Sequence, residues 1–308
     1  MTEVIQFALL GLGAGAVYAL LAQGIVLIYR GSGVINLSHG ALAMTAAYVA
    51  HFLDVESGWP LIPAAIGGIA VVTAIGMLTD QLVMRRLRNA PGLARLIATV
   101  GLLIVLQSLV VLIWGSTPVI VLPPFGTAHV EILGATASAD RLVMLGAALA
   151  LSAGLWLVWR FSRAGWITEA VSENQRVAAG LGWSPNLVSL STWGVGSALA
   201  GLAGVLIAPI TQLDPVVLPL TVIPALAAAL IGGFRSFPLT LAGGLALGVG
   251  QAEVGNYVHV SGAADALPLA VILAVLVVGG SALPLRGQLI ERLPSIGSGQ
   301  ISWRLVLP

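Results

Sequence analysis

Residues 5–29, IQFALLGLGAGAVYALLAQGIVLIY, contain no charged side chain. A helix crossing the hydrocarbon layer needs roughly 20 apolar residues, and runs of that kind recur along the chain. They cover 5–29, 36–53, 61–84, 96–114, 141–159, 189–210, 218–234, 239–258 and 266–283. The seventh is interrupted by Pro219 and Pro224 and closed by Gly232-Gly233. It reads as a broken or re-entrant helix, tolerated where neighbouring protein satisfies the freed backbone groups. The count is therefore nine spans, with eight as the alternative. Charged residues make up 8% of the 308, against about 25% in a soluble domain. Too few polar side chains remain to wet a globule, so the outer surface has to face lipid. The expected fold is an all-α polytopic membrane helical bundle, with 1–308 forming one transmembrane domain.

The same composition removes several function classes. A net charge of +1 gives no reason to invoke nucleic acid. Cysteine is absent, which excludes disulfides, thiolate metal sites and cysteine nucleophiles. The four histidines are scattered without a paired i, i+4 ligand set, so no metal site is expected. The start, MTEVIQFALL, lacks the basic region of a cleavable signal, and the first run is read as a retained span.

Arginine placement sets the orientation. With nine spans threaded, Arg30, Arg85, Arg86, Arg88, Arg95, Arg160, Arg163, Arg176, Arg235, Arg286, Arg292 and Arg304 fall on one side and only Arg141 on the other. The arginine-rich side is taken as cytoplasmic. That puts the N-terminus outside and the C-terminal tail, 284–308, inside. The spans are also rich in small residues at four-residue spacing, as in Gly11/Gly15, Ser197/Gly201, Ala200/Gly204 and Gly244/Gly248. Such stripes let helices approach closely in lipid, where no hydrophobic force drives them together.

Two stretches do not look like lipid-facing helix. In YRGSGVINLSHG (29–40), Arg30 ends the first span, Gly31-Ser32-Gly33 turns the chain, and Asn36 is suited to cap the second helix. Asn36, His39, Ala43, Ala46 and Ala50 then share one helix face. One reading is a capped helix in a cytosolic loop with His39 solvated. The other is a discontinuous helix whose positive amino end faces a translocation path. Gln23, Asn36, Ser38 and His39 are the candidate path residues. Gln107 is better suited to an interhelical hydrogen bond, and Glu253, well inside an apolar run, needs a partner, water or a second subunit.

The second stretch, 160–188, is the longest polar segment on the arginine-rich side. TEAVSENQRVAAGLG predicts a brief helix capped by Thr168 or Ser172 and ended by Gly180 and Gly182, after which Trp183 and Pro185 re-enter the next span. A helix held between two spans can lie across the membrane surface as a lever. No signature is evident between residues 115 and 140.

Three segments together resemble the permease subunits of bacterial branched-chain amino-acid ABC importers, the LivH-type family, and more distantly sugar permeases of the ribose type. GAGAVYALLAQGIVLIYRGSGVINLSHGALAMTAAYVA is similar to that family's first helix pair, with Arg30 where the family has Gly and Leu37-Ser38 where it has Phe-Ala. AVSENQRVAAGLGWSPNLV resembles its ATPase-docking loop, and ALIGGFRSFPLTLAGGLALGVGQAEV its glycine-rich helix pair. The resemblance implies an inner-membrane importer subunit that pairs with a related permease. Two cytosolic ATP-binding subunits would dock on Glu173, Asn174, Gln175, Arg176, Gly180 and Gly182, and an extracytoplasmic binding protein would deliver substrate. It implies no cofactor on this chain; ATP would be bound by the partner subunits. In agreement, a chain without lysine has no P-loop lysine. Branched-chain or other hydrophobic amino acids are the implied cargo, with urea and short amides as the alternative.

Two other classes fit less well. A secondary transporter or channel needs intramembrane ionisable groups, and only Glu253 qualifies. An intramembrane hydrolase built on NLSHG would need a second histidine near Ser38, yet His51, His129 and His259 fall toward the other side.

Overall fold

A computed structural model describes residues 2–122, 129–132 and 135–279. Each of the nine apolar runs coincides with helix. In chain order these are α1 (Thr2–Ser32), α2 (His39–His51), α3 (Leu61–Thr79) and α4 (Gly92–Trp114), followed after a hairpin by α5 (Ala139–Phe161). Two short helices, α6 (Arg163–Glu173) and α7 (Gln175–Gly180), lead to α8 (Pro185–Thr211). The chain ends in α9 (Val217–Leu220), α10 (Val222–Ile231), α11 (Phe237–Tyr257) and α12 (Ala263–Gly279). Five of the described helices are long and apolar enough to cross a membrane: Val4–Ser32, Leu61–Met84, Gly92–Trp114, Ala139–Phe161 and Pro185–Thr211. Val217–Ile231 and Ala263–Val278 are shorter apolar helices. The tail 284–308, with Arg286, Arg292 and Arg304, lies outside the described residues.

Large apolar side chains stand bare on the outer helices, among them Ile62, Ile104 and Leu112. On α3 and α4 the buried positions are instead few and small-sided, such as Ala64, Gly68 and Thr99. That inside-out distribution suits a solvent of hydrocarbon and marks a multi-pass helical membrane protein. α1, by contrast, is buried almost all round from Ala16 to Ile28, as is α2 from His39 to Tyr48. α8, α11, α5 and α10 pack around α1.

The small-residue stripes meet one another. Gly11 and Gly15 of α1 cross Gly244 and Gly248 of α11. A Cβ on Gly15 would lie 2.8 Å from the Gly244 carbonyl oxygen, and one on Gly244 would lie 2.7 Å from the Ala19 Cα. On α8, Gly204 abuts the Ala43 backbone of α2, while Gly201 abuts Val72 and Ile69 of α3. Backbones this close gain dispersion contacts in place of the missing hydrophobic drive.

Among the described residues, one short hairpin departs from an all-helical chain, and it lies in the stretch that carried no signature. β1 (His129–Ile132) pairs antiparallel with β2 (Ala135–Ser138), His129 opposite Ser138 and Ile132 opposite Ala135. The Gln6 side chain docks on β2 as a peptide would: its Nε2 donates to the Thr136 carbonyl oxygen at 2.8 Å, and its Oε1 accepts from the Thr136 amide at 2.8 Å.

Two expectations need correction. The second span begins at His39, not at residue 36, and Asn36 does not cap it; the residue before the helix, Ser38, makes no side-chain cap bond. The polar segment 160–188 forms two helices, not one. Thr168 lies inside α6 and donates to the Ala164 carbonyl oxygen at 2.8 Å, and Ser172 also sits within that helix. The caps are Ser162, whose hydroxyl accepts from Gly165 N, and Asn174, whose Oδ1 accepts from Arg176 N and Val177 N at 3.0 and 3.1 Å.

Replacing Gly248 by Val forces side-chain atoms into the α1 backbone, and overpacking of this kind costs roughly 1–3 kcal/mol or more. The expected outcome is a lower melting temperature of the detergent-solubilised protein. Gly101→Ala, where nothing lies within 4 Å of the added methyl, leaves that temperature unchanged.

Candidate functional site

The segment between α1 and α2 does not lie in solvent. Gly33, with φ +71°, reverses the chain, and Val34, Asn36, Ser38 and His39 are then buried. His39 packs where Gly24 lacks a side chain: a Cβ there would lie 2.9 Å from His39 Cε1 and 2.8 Å from the Gly196 carbonyl oxygen of α8. Gly24 precedes Arg30 by six residues, so His39 packs against α1 roughly 9 Å deeper than Arg30, at 1.5 Å per residue. The reading of a solvated cytosolic cap with an exposed His39 is thereby overturned.

Non-helical backbone at that depth has to find partners inside the protein, and the polar residues of the segment supply them. Asn36 Oδ1 accepts from the Ser38 amide at 3.0 Å and from the Ser38 hydroxyl at 2.6 Å. This is an Asx turn leading into the helix. The Leu37 amide donates to Thr99 Oγ1 of α4 at 3.2 Å, and the Val34 amide to Ser32 Oγ at 3.4 Å.

The seventh span is broken in the same manner, as Pro219 and Pro224 predicted. Its entry, 212–216, is held by side chains. Asp214 Oδ1 accepts from the Val216 and Val217 amides at 2.7 and 3.0 Å. Tyr48 of α2 donates to the Leu213 carbonyl oxygen at 2.8 Å, and Gln107 of α4 to that of Pro215 at 2.9 Å. The Gln107 bond thus reaches the break itself and not a regular helix. The two interruptions meet where Gly40 abuts Pro219: a Cβ on Gly40 would lie 2.9 Å from the Pro219 carbonyl carbon.

Several buried polar groups of the bundle have no hydrogen-bond partner among the described residues. They include both amide atoms of Gln23, Asn36 Nδ2, both ring nitrogens of His39, and Ser197 Oγ of α8. Gln23, Asn36, Ser38, His39 and Ser197 are all fully buried. An unsatisfied buried donor or acceptor costs about 1–3 kcal/mol. Ser197 was not singled out from sequence; its place in a small-residue stripe hid it. Both carboxylate oxygens of Glu253 are likewise buried and unpartnered among the described residues.

The crossbar α6–α7 lies at the Arg30 end. Arg30 ties it to the bundle: its guanidinium forms an ion pair with Glu169 of α6, donates to the Arg235 carbonyl oxygen at 3.3 Å, and lies 5.4 Å from the Phe237 ring centroid. Where the sequence aligns this position with a family glycine, arginine acts as a strap. A cleft of about 990 Å³ opens between the crossbar and the α3–α4 connection, with Arg85, Arg88, Arg95, Asn174 and Arg176 on its walls and Asp80 at its edge. Asp80 is buried and accepts from the Ser189 hydroxyl at 2.5 Å. Glu173, Asn174, Arg176, Gly180 and Gly182 are exposed and Gln175 is half-buried. Val177 and Leu181 expose 59% and 66% of their surface between them. These apolar positions, which sequence reasoning missed, make the crossbar surface a mixed polar and apolar one, the composition of an interface core with its rim.

Residues 7–278 match the family described as the permease component of the branched-chain amino acid transport system. The chain is 30% identical over 281 residues to the high-affinity branched-chain amino acid transport system permease protein LivH of Escherichia coli K12, covering 87% of this chain and 91% of that one. It is 31% identical over 255 residues to the corresponding protein BraD of Pseudomonas aeruginosa, covering 79% and 83%. Among solved structures, PsaBC from Streptococcus pneumoniae in complex with Fab shares the fold, with a TM-score of 0.50, 15% identity and coverage of 92% and 96%.

The strap carries a prediction. Arg30→Ala removes the ion pair, the bond to Arg235 and the ring contact together, so backbone amides of 163–180 should exchange with deuterium faster while those of α8 do not. Arg30→Lys, which keeps the charge but loses the fork, should fall between.

Proposed function

The chain belongs to the family of permease components of branched-chain amino acid transport systems, and we propose that it is the membrane-spanning subunit of an ATP-driven importer for branched-chain or related hydrophobic amino acids. The family match over 7–278 carries this reading. In it the chain threads the bacterial cytoplasmic membrane nine times, N-terminus outside and 284–308 inside, and 1–308 is a single permease domain. Contacts of Arg30 with Glu169 and Arg235 and of Arg88 with Asn186 support the sidedness, because they gather the arginine-rich connections at one end.

The chain holds no ATP and is not itself an enzyme. Two ATP-binding subunits dock on the crossbar through Glu173, Asn174, Gln175, Arg176, Gly180 and Gly182, with Val177 and Leu181 supplying apolar contact. A second, related permease completes the path, and an extracytoplasmic binding protein loads it. Closure of the nucleotide-binding pair draws the crossbars together and reorients the helices around the seam, giving alternating access. The solute passes the crossing of the two breaks beside Gln23, Asn36, Ser38 and His39, where the Gln23 amide, Asn36 Nδ2 and the His39 ring offer polar groups that the fold itself leaves uncommitted. A broken helix suits this place because its end dipoles and free backbone groups can face a polar solute.

Two results test the reading. Arg176→Glu and Gly180→Pro should each abolish co-purification of the ATP-binding subunits while the chain still inserts in the membrane; unaffected pull-down by both variants removes the docking assignment. Asn36→Ala combined with His39→Ala should lower leucine uptake in proteoliposomes about tenfold, the equivalent of ~1.4 kcal/mol, with the assembled complex intact on size exclusion. Normal uptake would leave the pair a structural role only.

A further inference from the structure

At the end of the bundle opposite Arg30, α1, α5, α11 and α12 enclose a cleft of about 630 Å³. Much of its wall is apolar or small, with Phe7, Leu10 and Ala14 on α1 and Ala252 on α11. Two opposite charges stand in it. Arg141 lies in the first turn of α5. Its stem crosses the bare face of Gly13, where a Cβ would lie 2.8 Å from Arg141 Cγ, and its guanidinium donates to the Leu10 carbonyl oxygen. Asp265, in the first turn of α12, forms part of another wall. No ion pair joins the two. Gln251 of α11 lines the same cleft; its Nε2 donates to the Ala264 carbonyl oxygen at 3.1 Å, while its Oε1 is buried without a partner.

We propose that this cleft is a reception site for a zwitterionic α-amino acid, with the carboxylate on Arg141, the ammonium on Asp265 and the side chain against Phe7, Leu10 and Ala14. The inference rests on the amino-acid cargo of the preceding reading. A planar guanidinium takes a carboxylate with two parallel donors, and Leu10 engages one terminal nitrogen only, so donors remain. Its stem is fixed over Gly13 and its head over Leu10, so little rotamer freedom is lost when a ligand arrives. A carboxylate opposite supplies the complementary charge, and Gln251 Oε1 is a further acceptor for an ammonium. A solute lacking either charge would leave Arg141 or Asp265 uncompensated on closure, which builds selectivity against simple amides and acids into the walls.

The test uses the complete complex, this chain with its partner permease and ATP-binding subunits, in phosphatidylglycerol nanodiscs that offer no ammonium headgroup. Radiolabelled L-leucine is bound at equilibrium without the binding protein. Saturable binding is expected, displaced by isoleucine but not by 4-methylpentanoate or 3-methylbutylamine, which each lack one charge. Arg141→Gln and Asp265→Asn should each weaken binding roughly tenfold, the effect of one lost charge-assisted contact, with Arg141→Lys between. Asp265 is exposed, so its variant keeps the test decisive should Arg141→Gln fail to assemble. Wild-type affinity in Asp265→Asn, or no leucine binding by the wild-type complex, overturns the site. ATP-dependent leucine uptake by the full system distinguishes the two levels: uptake without binding in the cleft refutes only this inference, whereas no amino-acid uptake at all refutes the reading beneath it.

Discussion

The whole arrangement depends on a rule of solvent: at membrane depth a backbone amide or carbonyl has no water to turn to. Regular helix meets that demand by itself. Regular helix gives way over 33–38 and 212–216, and at both places short polar side chains take over the accounting. Asn36, Thr99 and Ser32 serve the first break; Asp214, Tyr48 and Gln107 serve the second. Where the peptide group served is buried, as at Ser38 and Leu213, losing its partner costs about 1–3 kcal/mol. Their number and placement follow from the breaks, which bring irregular backbone and polar side chains together.

Close packing makes the breaks possible. The Gly40–Pro219 and Gly24–His39 approaches require neighbouring backbones at distances only glycine permits, and the Gly11/Gly15–Gly244/Gly248 crossing holds α1 against α11 around them. In lipid there is no hydrophobic gain from bringing apolar helices together, so the energy has to come from contact density. Glycine stripes and polar breaks are therefore one design: the first supplies the dispersion energy that offsets the second.

Much of this was legible in the residues. Apolar length gave the helices, and Pro219 with Pro224 gave the break in the seventh run. The four-residue spacing of small side chains gave the crossing faces, though not which face meets which; that is decided by packing among elements far apart in sequence. The first break was half legible. Its polar composition announced an interruption, but a cap in water and an Asx turn in protein use the same residues, and only depth separates them. Depth in turn is fixed by Gly24 opposite His39, a tertiary contact with no local mark. Residues 129–138 were silent because a hairpin this short is specified by its docking on Gln6 more than by strand propensity. Val177 and Leu181 were missed because single apolar residues in a polar segment are unremarkable until their exposure is known.

α1 joins what the rest of the chain keeps apart. Its first turns wall the outer cleft through Phe7, Leu10 and Ala14, its middle receives His39 at Gly24, and its last turn holds the crossbar through Arg30. The helix runs unbroken over Thr2–Ser32, without a proline to kink it. Over that length it runs roughly 46 Å at 1.5 Å per residue. A pull on α6 through Glu169 therefore reaches the outer cleft as rotation or translation of one stiff element, and no chain of side-chain rearrangements is needed. The cost of that economy is that α1 cannot adjust locally. Any change of register at the α11 crossing has to move that cleft, the polar crossing and the strap together, a coupling that the proposed alternating-access cycle would use.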